Sequence, residues 1–394
     1  MCKFIVLPLL VLLAACTDMG PIAPDGPDGP AFAKLDKCTP WPTCRGGDGD
    51  GDGSSYLVQD LGTLGGSFSA ATDINDNGDI VGRSLDADGK IMATLWAAPV
   101  EGTEYLLPTQ VGDPTGYTGS YAHGINQSSD AIVGEATPDP LTSEPVRWTS
   151  SNGGWEMEPL ALPGGAQNGI AYDVNNDKTA VGWTRVTGYP AAATFWPATA
   201  TGEAGEAHLL PVKATDRSIA YGINDAGHIV GSGGAQAVLW MPSSPAGETY
   251  QRCDMNHGDA LTSSADAVSE VSGNEIKILG LRSYGGGDYT IAVWTLAVSD
   301  PPNGCPASTP FEDIAGSGYH AWDINSDGVV VAQVLTGQPN PVLWTAAGKL
   351  VELPVLKGKR GAAQAISNAG LVVGWGAVDK QESHAMLWKE KTPN

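Results

Sequence analysis

Three features of the 394-residue sequence predict an all-β fold, a seven-bladed β-propeller closed by an N-terminal strand that completes the last blade. Gly (52) and Pro (28) make up about a fifth of the chain and charged residues only 16%, and short β-branched or aromatic runs alternate with turn residues, the mark of many strands and many turns. An apolar-Asn pair followed by an apolar-Val-Gly run recurs about every 50 residues, the period of a blade built from several short strands. A strand-like segment ahead of the first repeat belongs to no unit, and the last repeat lacks that same strand.

The elements follow in chain order. Residues 1–15, MCKFIVLPLLVLLAA, carry one Lys and an apolar run too short to span a bilayer. With Cys16 after Leu13-Ala14-Ala15 they resemble a bacterial lipoprotein signal, which implies lipidation of Cys16, a membrane anchor and an extracytoplasmic location at the cell surface or in the periplasm. Residues 16–55 are Pro, Gly and Asp with little to bury, an extended tether. Cys38 and Cys44 are close enough to close a small loop, which leaves Cys253 and Cys305 for each other. In an oxidising compartment disulfides are the default for both pairs, and zinc, the rival, finds no CxxC spacing or flanking His.

Residues 56–394 form the repeat domain. Its anchors are Ile74-Asn75, Ile125-Asn126, Val174-Asn175, Ile223-Asn224 and Ile324-Asn325, with degenerate copies at Val271-Ser272 and Ile366-Ser367. Each unit reads as four strands, A to D; in the first, SAATDIN, DIVGRS, IMATLW and EYLLP. The turn between A and B falls on Asp76-Asn77-Gly78, residues that tolerate a left-handed backbone. Strand C of each unit ends on a tryptophan, at 96, 148, 196, 240, 294, 344 and 388, and burial between sheets suits each of them. D-like strands begin at Tyr56, Glu104, Trp155, Glu206, Glu248, Phe311 and Lys349; the one at Tyr56 precedes the first unit and would pair with the sheet ending at Trp388, removing two open edges.

DLGTLGGSFSAATDINDNGDIVG in the first unit and HAMLW (His384–Trp388) in the last resemble the HAF extracellular repeat, over roughly residues 56–388. The resemblance implies a secreted or surface location and a propeller-like fold, and no established activity.

Two sets of residues are candidates for chemistry. Asp73, Asn75, Asn77 and Asp323, Asn325, Asp327 match the first half of a calcium loop. The later ligand positions hold Val81 and Ser84, or Val331 and Val334, and other copies keep the turn while losing the oxygens, so a hairpin turn is preferred to calcium and no cofactor is expected. Counting back from the anchors, the fourth residue is Ala71, Ala122, Ala171, Ala220, Val268, Ala321 or Ala363, small enough for close approach near an axis. The third is Thr72, His123, Tyr172, Tyr221, Ser269, Trp322 or Gln364, a varied ring that would meet a ligand if it faces the channel mouth. His123 and His320 could approach each other there, with Tyr172 or Tyr221.

No nucleophile elbow, zinc-protease helix, P-loop or dinucleotide fingerprint occurs in a fitting context, and no catalytic residue is assigned. A formal charge of −23 disfavours nucleic acid and anionic lipid as partners, leaving the lipid anchor as the only membrane contact. A binding or interaction module for a surface protein or glycan is the preferred function, ahead of a carbohydrate-active lyase or hydrolase.

Overall fold

The computed structural model describes residues 55–391, apart from the stretches 100–108, 113–115, 152, 165, 167, 187–190, 199–204, 214–215, 244–248, 299–303 and 357–359. The signal segment, Cys16, Cys38, Cys44 and the strand expected from Glu104 lie outside the described residues. Every regular element described is a strand. In order these are β1 (Tyr56–Asp60), β2 (Gly65–Ile74), β3 (Ile80–Asp86), β4 (Ile91–Trp96), β5 (Thr109–Gln110), β6 (Gly119–Ile125), β7 (Ala131–Asp139), β8 (Thr142–Ser151), β9 (Gly154–Pro159) and β10 (Gly169–Val174). They continue as β11 (Ala180–Thr184), β12 (Ala192–Trp196), β13 (His208–Leu209), β14 (Ser218–Ile223), β15 (Ile229–Gly233), β16 (Gln236–Pro242), β17 (Tyr250–Asp254), β18 (Thr262–Val268) and β19 (Glu275–Gly285). The last are β20 (Asp288–Ala297), β21 (Phe311–Gly316), β22 (Tyr319–Ile324), β23 (Val330–Val334), β24 (Pro341–Trp344), β25 (Leu350–Glu352), β26 (Gly361–Ile366), β27 (Val372–Ala377) and β28 (Ser383–Glu390).

Five separate four-stranded antiparallel sheets, β6–β9, β10–β13, β14–β17, β18–β21 and β22–β25, stand as blades of a β-propeller. The remaining strands make one eight-stranded sheet, β26-β27-β28-β2-β3-β4-β5, with β1 also on β28. The expectation of seven separate blades is corrected accordingly: five separate blades are observed. The reason is local, since β2 starts early enough for Phe68 to bridge Ser383 of β28 in parallel, merging the sheets at the two chain ends. The expected pairing of the N-terminal strand is observed, from Tyr56 opposite Glu390 to Asp60 opposite Met386.

The core lies between neighbouring sheets. Val81, Ala93 and Leu95 of one pack on Ala122, Ile125, Ile132 and Trp148 of the next, and the same arrangement recurs around the molecule. All seven recurring tryptophans are buried. Several also donate their indole N–H to a carbonyl in the loop ahead of the inner strand of their own sheet: Trp96 to Leu61, Trp196 to Ala161, Trp240 to Pro211, Trp294 to Asn256 and Trp388 to Pro354, all at 2.7–2.8 Å. A buried indole is costly without a partner for its N–H, which accounts for the tight recurrence of this slot.

The inner strands β2, β6, β10, β14, β18, β22 and β26 share one irregularity. Each skips a residue in its pairing with the next strand, between Ala71 and Asp73, Ala122 and Gly124, Ala171 and Asp173, Ala220 and Gly222, Ala265 and Ala267, Ala321 and Asp323, and Ala363 and Ala365. These are β-bulges, which bend the strand and turn one side chain out of the pleat. They also explain the Val-Gly motif. A Cβ on Gly82, Gly134, Gly182, Gly231, Gly280 or Gly374 would stand 1.9–2.1 Å from a carbonyl oxygen of the bulged strand, so in these six units the backbones approach at a distance that favours glycine, while the sixth unit in chain order has Ala332 at this place.

Cys253 of β17 is disulfide-bonded to Cys305, in the connection between β20 and β21, as the cysteine count led one to expect.

Candidate functional site

The anchor asparagines hold the inner strands to one another. The Asn75 side-chain oxygen accepts from Asp79 N, closing its own turn, and its amide donates to Asn126 O in the next sheet (both 3.0 Å). Asn175, Asn224 and Asn325 do the same toward Asn224 O, Ser269 O and Ser367 O. Outside these, the turns are linked again: Gln127 Oε1 accepts from Asp76 N, Asp225 Oδ1 from Asn176 N, Asn368 Oδ1 from Ser326 N, and Asp76 Oδ1 from Asn368 N across 292 residues of sequence.

These contacts correct the fifth anchor. Asn224 reaches Ser269, and Ser269 Oγ accepts from Lys277 N as the asparagines accept in their own turns. Val268-Ser269, not Val271-Ser272, therefore fills the anchor slot. The turn there is longer and carries a second small turn in which Ser272 N and Glu275 O pair, and this extension displaced the sequence register. The small residue of that strand is Ala265 rather than Val268, and the bulged residue is Asp266 rather than Ser269.

Around the axis at the turn end lies a cavity of about 100 Å³, lined mainly by polar side chains. Asp73, Asp173 and Asp323 face it. Each carboxylate spans two inner strands. Asp73 accepts from Ile74 N and Ile125 N, Asp173 from Val174 N and Ile223 N, and Asp323 from Ile324 N and Ile366 N, at 2.7–2.9 Å. Desolvation outweighs these hydrogen bonds and pushes Asp73 up to about 6 and Asp323 to about 7; for Asp173, desolvation and the charges of Asp73 and Asp323 together raise it well above the ordinary range. Glu270, at the same cavity, is raised to about 7 by desolvation and by Asp225 and Asp76.

Of the calcium candidates Asp73, Asp323 and Asn325 line this cavity and Asn75, Asn77 and Asp327 do not. Both oxygens of Asp73 and of Asp323 hold backbone N–H groups, Asn75 and Asn77 donate their amides to the next turn, Asn325 spans to Ser367 O, and Asp327 is exposed on its turn. Gly78, with φ 88°, donates to Asn75 O in the hairpin geometry expected of that stretch.

The bulged residues form the second level of the axis: Thr72, His123, Tyr172, Tyr221, Asp266, Trp322 and Gln364. His123 meets Tyr172 edge-on with ring centres 5.6 Å apart, and Tyr172 meets Tyr221 at 5.7 Å. Trp183 Nε1 donates to the Tyr172 hydroxyl (3.3 Å). His123 Nε2 lies 3.5 Å from Glu135 Oε1, and burial acting to raise Glu135 is outweighed by His123, Ser143 and Arg83, which hold it below the usual range. His320 stacks on Trp322 at 4.3 Å, with its pKa lowered by burial; the ring contact of His123 is with Tyr172, not with His320. Desolvation pushes Asp266 up to about 6, against a hydrogen bond from Ser264. Gln364 Oε1 is buried without a hydrogen-bond partner among the described residues, whereas His123 Nε2 is met by Glu135.

Repeated antiparallel sheets, with inner strands clasped around an axial cavity, define the chain as a β-propeller. No family model matches the chain, and no curated protein does. Among solved structures it is similar to the WD40 repeats of RRP9, at 10% identity over 85% of this chain and 97% of that one, with a TM-score of 0.49. It is also similar to the BP39L lectin from Burkholderia pseudomallei (9% identity, 86% and 97% covered, TM-score 0.44). A puromycin-hydrolyzing peptidase of Mycobacterium tuberculosis is similar at 12% identity, over 83% of this chain and 55% of that one, with a TM-score of 0.47; this chain spans about half of that protein.

Proposed function

We propose that this chain is a lipid-anchored, extracytoplasmic binding module of the HAF-repeat type, with seven blades and a ligand site on the bulged ring of the axis. The seven-blade count treats the eight-stranded sheet as two blades, β26-β27-β28-β1 and β2-β3-β4-β5, joined by the single bridge between Phe68 and Ser383. Its support is that seven inner strands carry a bulge at the same place of the repeat.

One observation carries the binding role. The scaffold positions of the repeat hold nearly the same residue in every unit, whereas the bulged position holds six different side chains in seven units, one of which, Gln364, presents a buried oxygen with no hydrogen-bond partner among the described residues. A structural repeat has no use for that variety, and a ligand site does. Screening the full-length chain in detergent against glycan and secreted-protein arrays tests it, with a Tyr172→Ala, Trp322→Ala variant as control. Ligand capture that the double variant keeps would place the function elsewhere.

The anchor and location draw on the signal-like segment ending at Cys16, and the Cys253–Cys305 disulfide is consistent with an oxidising compartment. Labelling with an alkyne fatty acid during expression should mark the chain and spare Cys16→Ser. The rival function, a carbohydrate-active lyase or hydrolase, is favoured only by His123 lying beside Glu135 and Tyr172. Release of reducing ends or unsaturated products from a polysaccharide panel, lost in His123→Ala, would establish it.

A further inference from the structure

The inner strands are tied to one another by recurring clasps of three kinds. A carboxylate just after the bulge reaches the next inner strand, from Asp73 to Ile125 N, Asp173 to Ile223 N and Asp323 to Ile366 N. The strand that receives it carries Gly124, Gly222 or Ala365 at the same place, so no two neighbouring strands both hold an acid there. An anchor amide crosses from Asn75, Asn175, Asn224 and Asn325. A serine hydroxyl two residues before the small residue of an inner strand accepts an N–H from the third strand of the preceding sheet: Ser120 from Ala93, Ser218 from Ala193, Ser263 from Ala237 and Ser69 from Ala385.

Between β18 and β22 all three kinds are missing among the described residues. The carboxylate place on β18 is Ala267, and Ile324 N across the seam is bonded to its own Asp323. The anchor is Ser269, whose hydroxyl is engaged by Lys277 N and Glu270 O and carries no amide to reach across. The serine place on β22 is Tyr319. Polar contact over this seam is left to two partly buried side chains, Lys277 Nζ donating to Ser326 O (2.7 Å) and the Tyr289 hydroxyl to Tyr319 O (2.8 Å), and to a longer bond from Ser326 Oγ to Glu270 O (3.4 Å).

The seam between β6 and β10 also departs from the pattern, with Gly124 and Gly169 in two of the places and the Asn126 amide turned back to Asp130. There the loss is compensated: the buried Arg147 donates to Lys178 O, Lys178 pairs with Asp130 at 2.9 Å, and Ser128 and Ser143 bond to Asn176 and Asn168. The sheet β18–β21 is equally well fastened on its other flank. Cys253 of β17 is joined to Cys305, Asn256 N donates to Thr309 Oγ1, and Asn224 and Ser263 clasp β18 to the sheet before it. A covalent tie on one side of a sheet and no clasp on the other concentrates local opening at one place.

We infer that the propeller is a ring with a gate, the seam between β18 and β22, which opens while the other seams stay shut. Asp266 and Trp322, the bulged residues of these two strands, stand on either side of it. The gate thus gives the bulged ring a lateral entrance; that use rests on the reading of the ring as a ligand site, whereas the opening rests on the seam contacts alone.

The small residue of each inner strand is buried at its seam, so one position reports on each: Ala321 here, Ala171 at the β6–β10 seam and Ala220 at the β10–β14 seam. The full-length chain in detergent, carrying Ala321→Cys, Ala171→Cys or Ala220→Cys one at a time, is treated with iodoacetamide in the absence of reductant, and alkylation is followed by peptide mass spectrometry. The Ala321→Cys thiol should react about tenfold or more faster than the other two. Adding Ser269→Asn, which supplies an amide for Asn325 O, should slow it several-fold, and adding Lys277→Met, which removes the ammonium and keeps the stem, should speed it several-fold. Neither addition should alter the rate in the Ala220→Cys chain. Equal rates at the three positions, or an Ala321→Cys rate that ignores both additions, overturns the gate and leaves the ring reading standing. Should a cysteine variant melt early, hydroxyl-radical footprinting of the unaltered chain decides. Ile291, buried at this seam, should oxidise faster than Ile229, equally buried at the β10–β14 seam, and equal oxidation overturns the gate.

Discussion

At the scale of the residue, the asparagine of each anchor has two jobs that no apolar residue can share. Its oxygen closes a turn and its amide ties that turn to the next sheet, so Asn175→Ala should cost about 1 to 3 kcal/mol in chemical denaturation, since a buried backbone donor at Thr179 and an acceptor at Asn224 lose their partner. Asn175→Asp keeps the oxygen only and should recover part of that. The axial aspartates behave differently. Asp73 and Asp323 have folded-state values of about 6 and 7, above the unfolded value near 4. Between about pH 4 and pH 7 the folded protein holds protons that the unfolded chain has released. The stability from this source is complete below pH ~4 and is lost as pH rises through the folded values. Asp323→Asn removes the titration at a fixed cost, because its amide meets a backbone N–H. The variant should thus be less stable than the parent at pH 4.5, and the gap should narrow toward pH 8 by on the order of 1 to 3 kcal/mol. A gap that does not change with pH would refute the protonated state of the group.

At the scale of the element, the bulge was the feature the sequence left implicit, though its consequence was visible as Val-Gly. Periodicity located strands and turns because apolar-Asn and Trp positions have packing and hydrogen-bonding duties that few residues meet. It located the varied ring in six of seven strands for the same reason. It failed in the fifth, where an insertion between Ser269 and Lys277 lengthened the turn, and a spare Val-Ser pair matched the pattern better than the true one. Asp266 was missed with it, and the only signal for it was the small residue at Ala265, one place before. Arg83 and Glu135 were also missed, because both occupy the position after the Val-Gly glycine on the second strand, one strand away from the counting frame. The bulge supplies its own test. At Gly182 a Cβ would meet Ile170 O at 1.9 Å, so Gly182→Val should destabilise by about 1 to 3 kcal/mol or unfold its sheet. Gly182→Ala should be milder, because the sixth unit carries Ala332 at the matching place on β23, opposite Ala321. Equal stability of the valine variant and the parent, measured by urea unfolding, would mean the close approach is not what selects glycine.

At the scale of the whole molecule, the two chain ends are joined by a strand that no local propensity demands. β1 adds five residue pairs to β28, and Lys391 N donates to Ser55 O while Leu61 N donates to Ala385 O (2.7 and 2.9 Å). Tyr56 and Val58 cover the cluster around Trp388, Asp60 pairs with His384 at 2.9 Å, and Leu61 O receives the indole of Trp96. Removing residues through Leu61 would strip β28 of its outer partner, leave that indole without its acceptor and open a row of backbone donors and acceptors to pairing between molecules. A chain starting at Gly62 should therefore lose on the order of 2 to 4 kcal/mol, show faster amide exchange along Met386–Lys389, and aggregate at concentrations where the intact chain does not. A synthetic Ser55–Thr63 peptide added in excess should reverse all three, since it restores the same ladder without a covalent link. Truncation that leaves exchange on β28 unchanged would show that the ring is held without its first strand, by the contacts of β2 with β28 at Phe68–Ser383 and Ser69–Ala385 and by the clasp between Asn368 and Asp76.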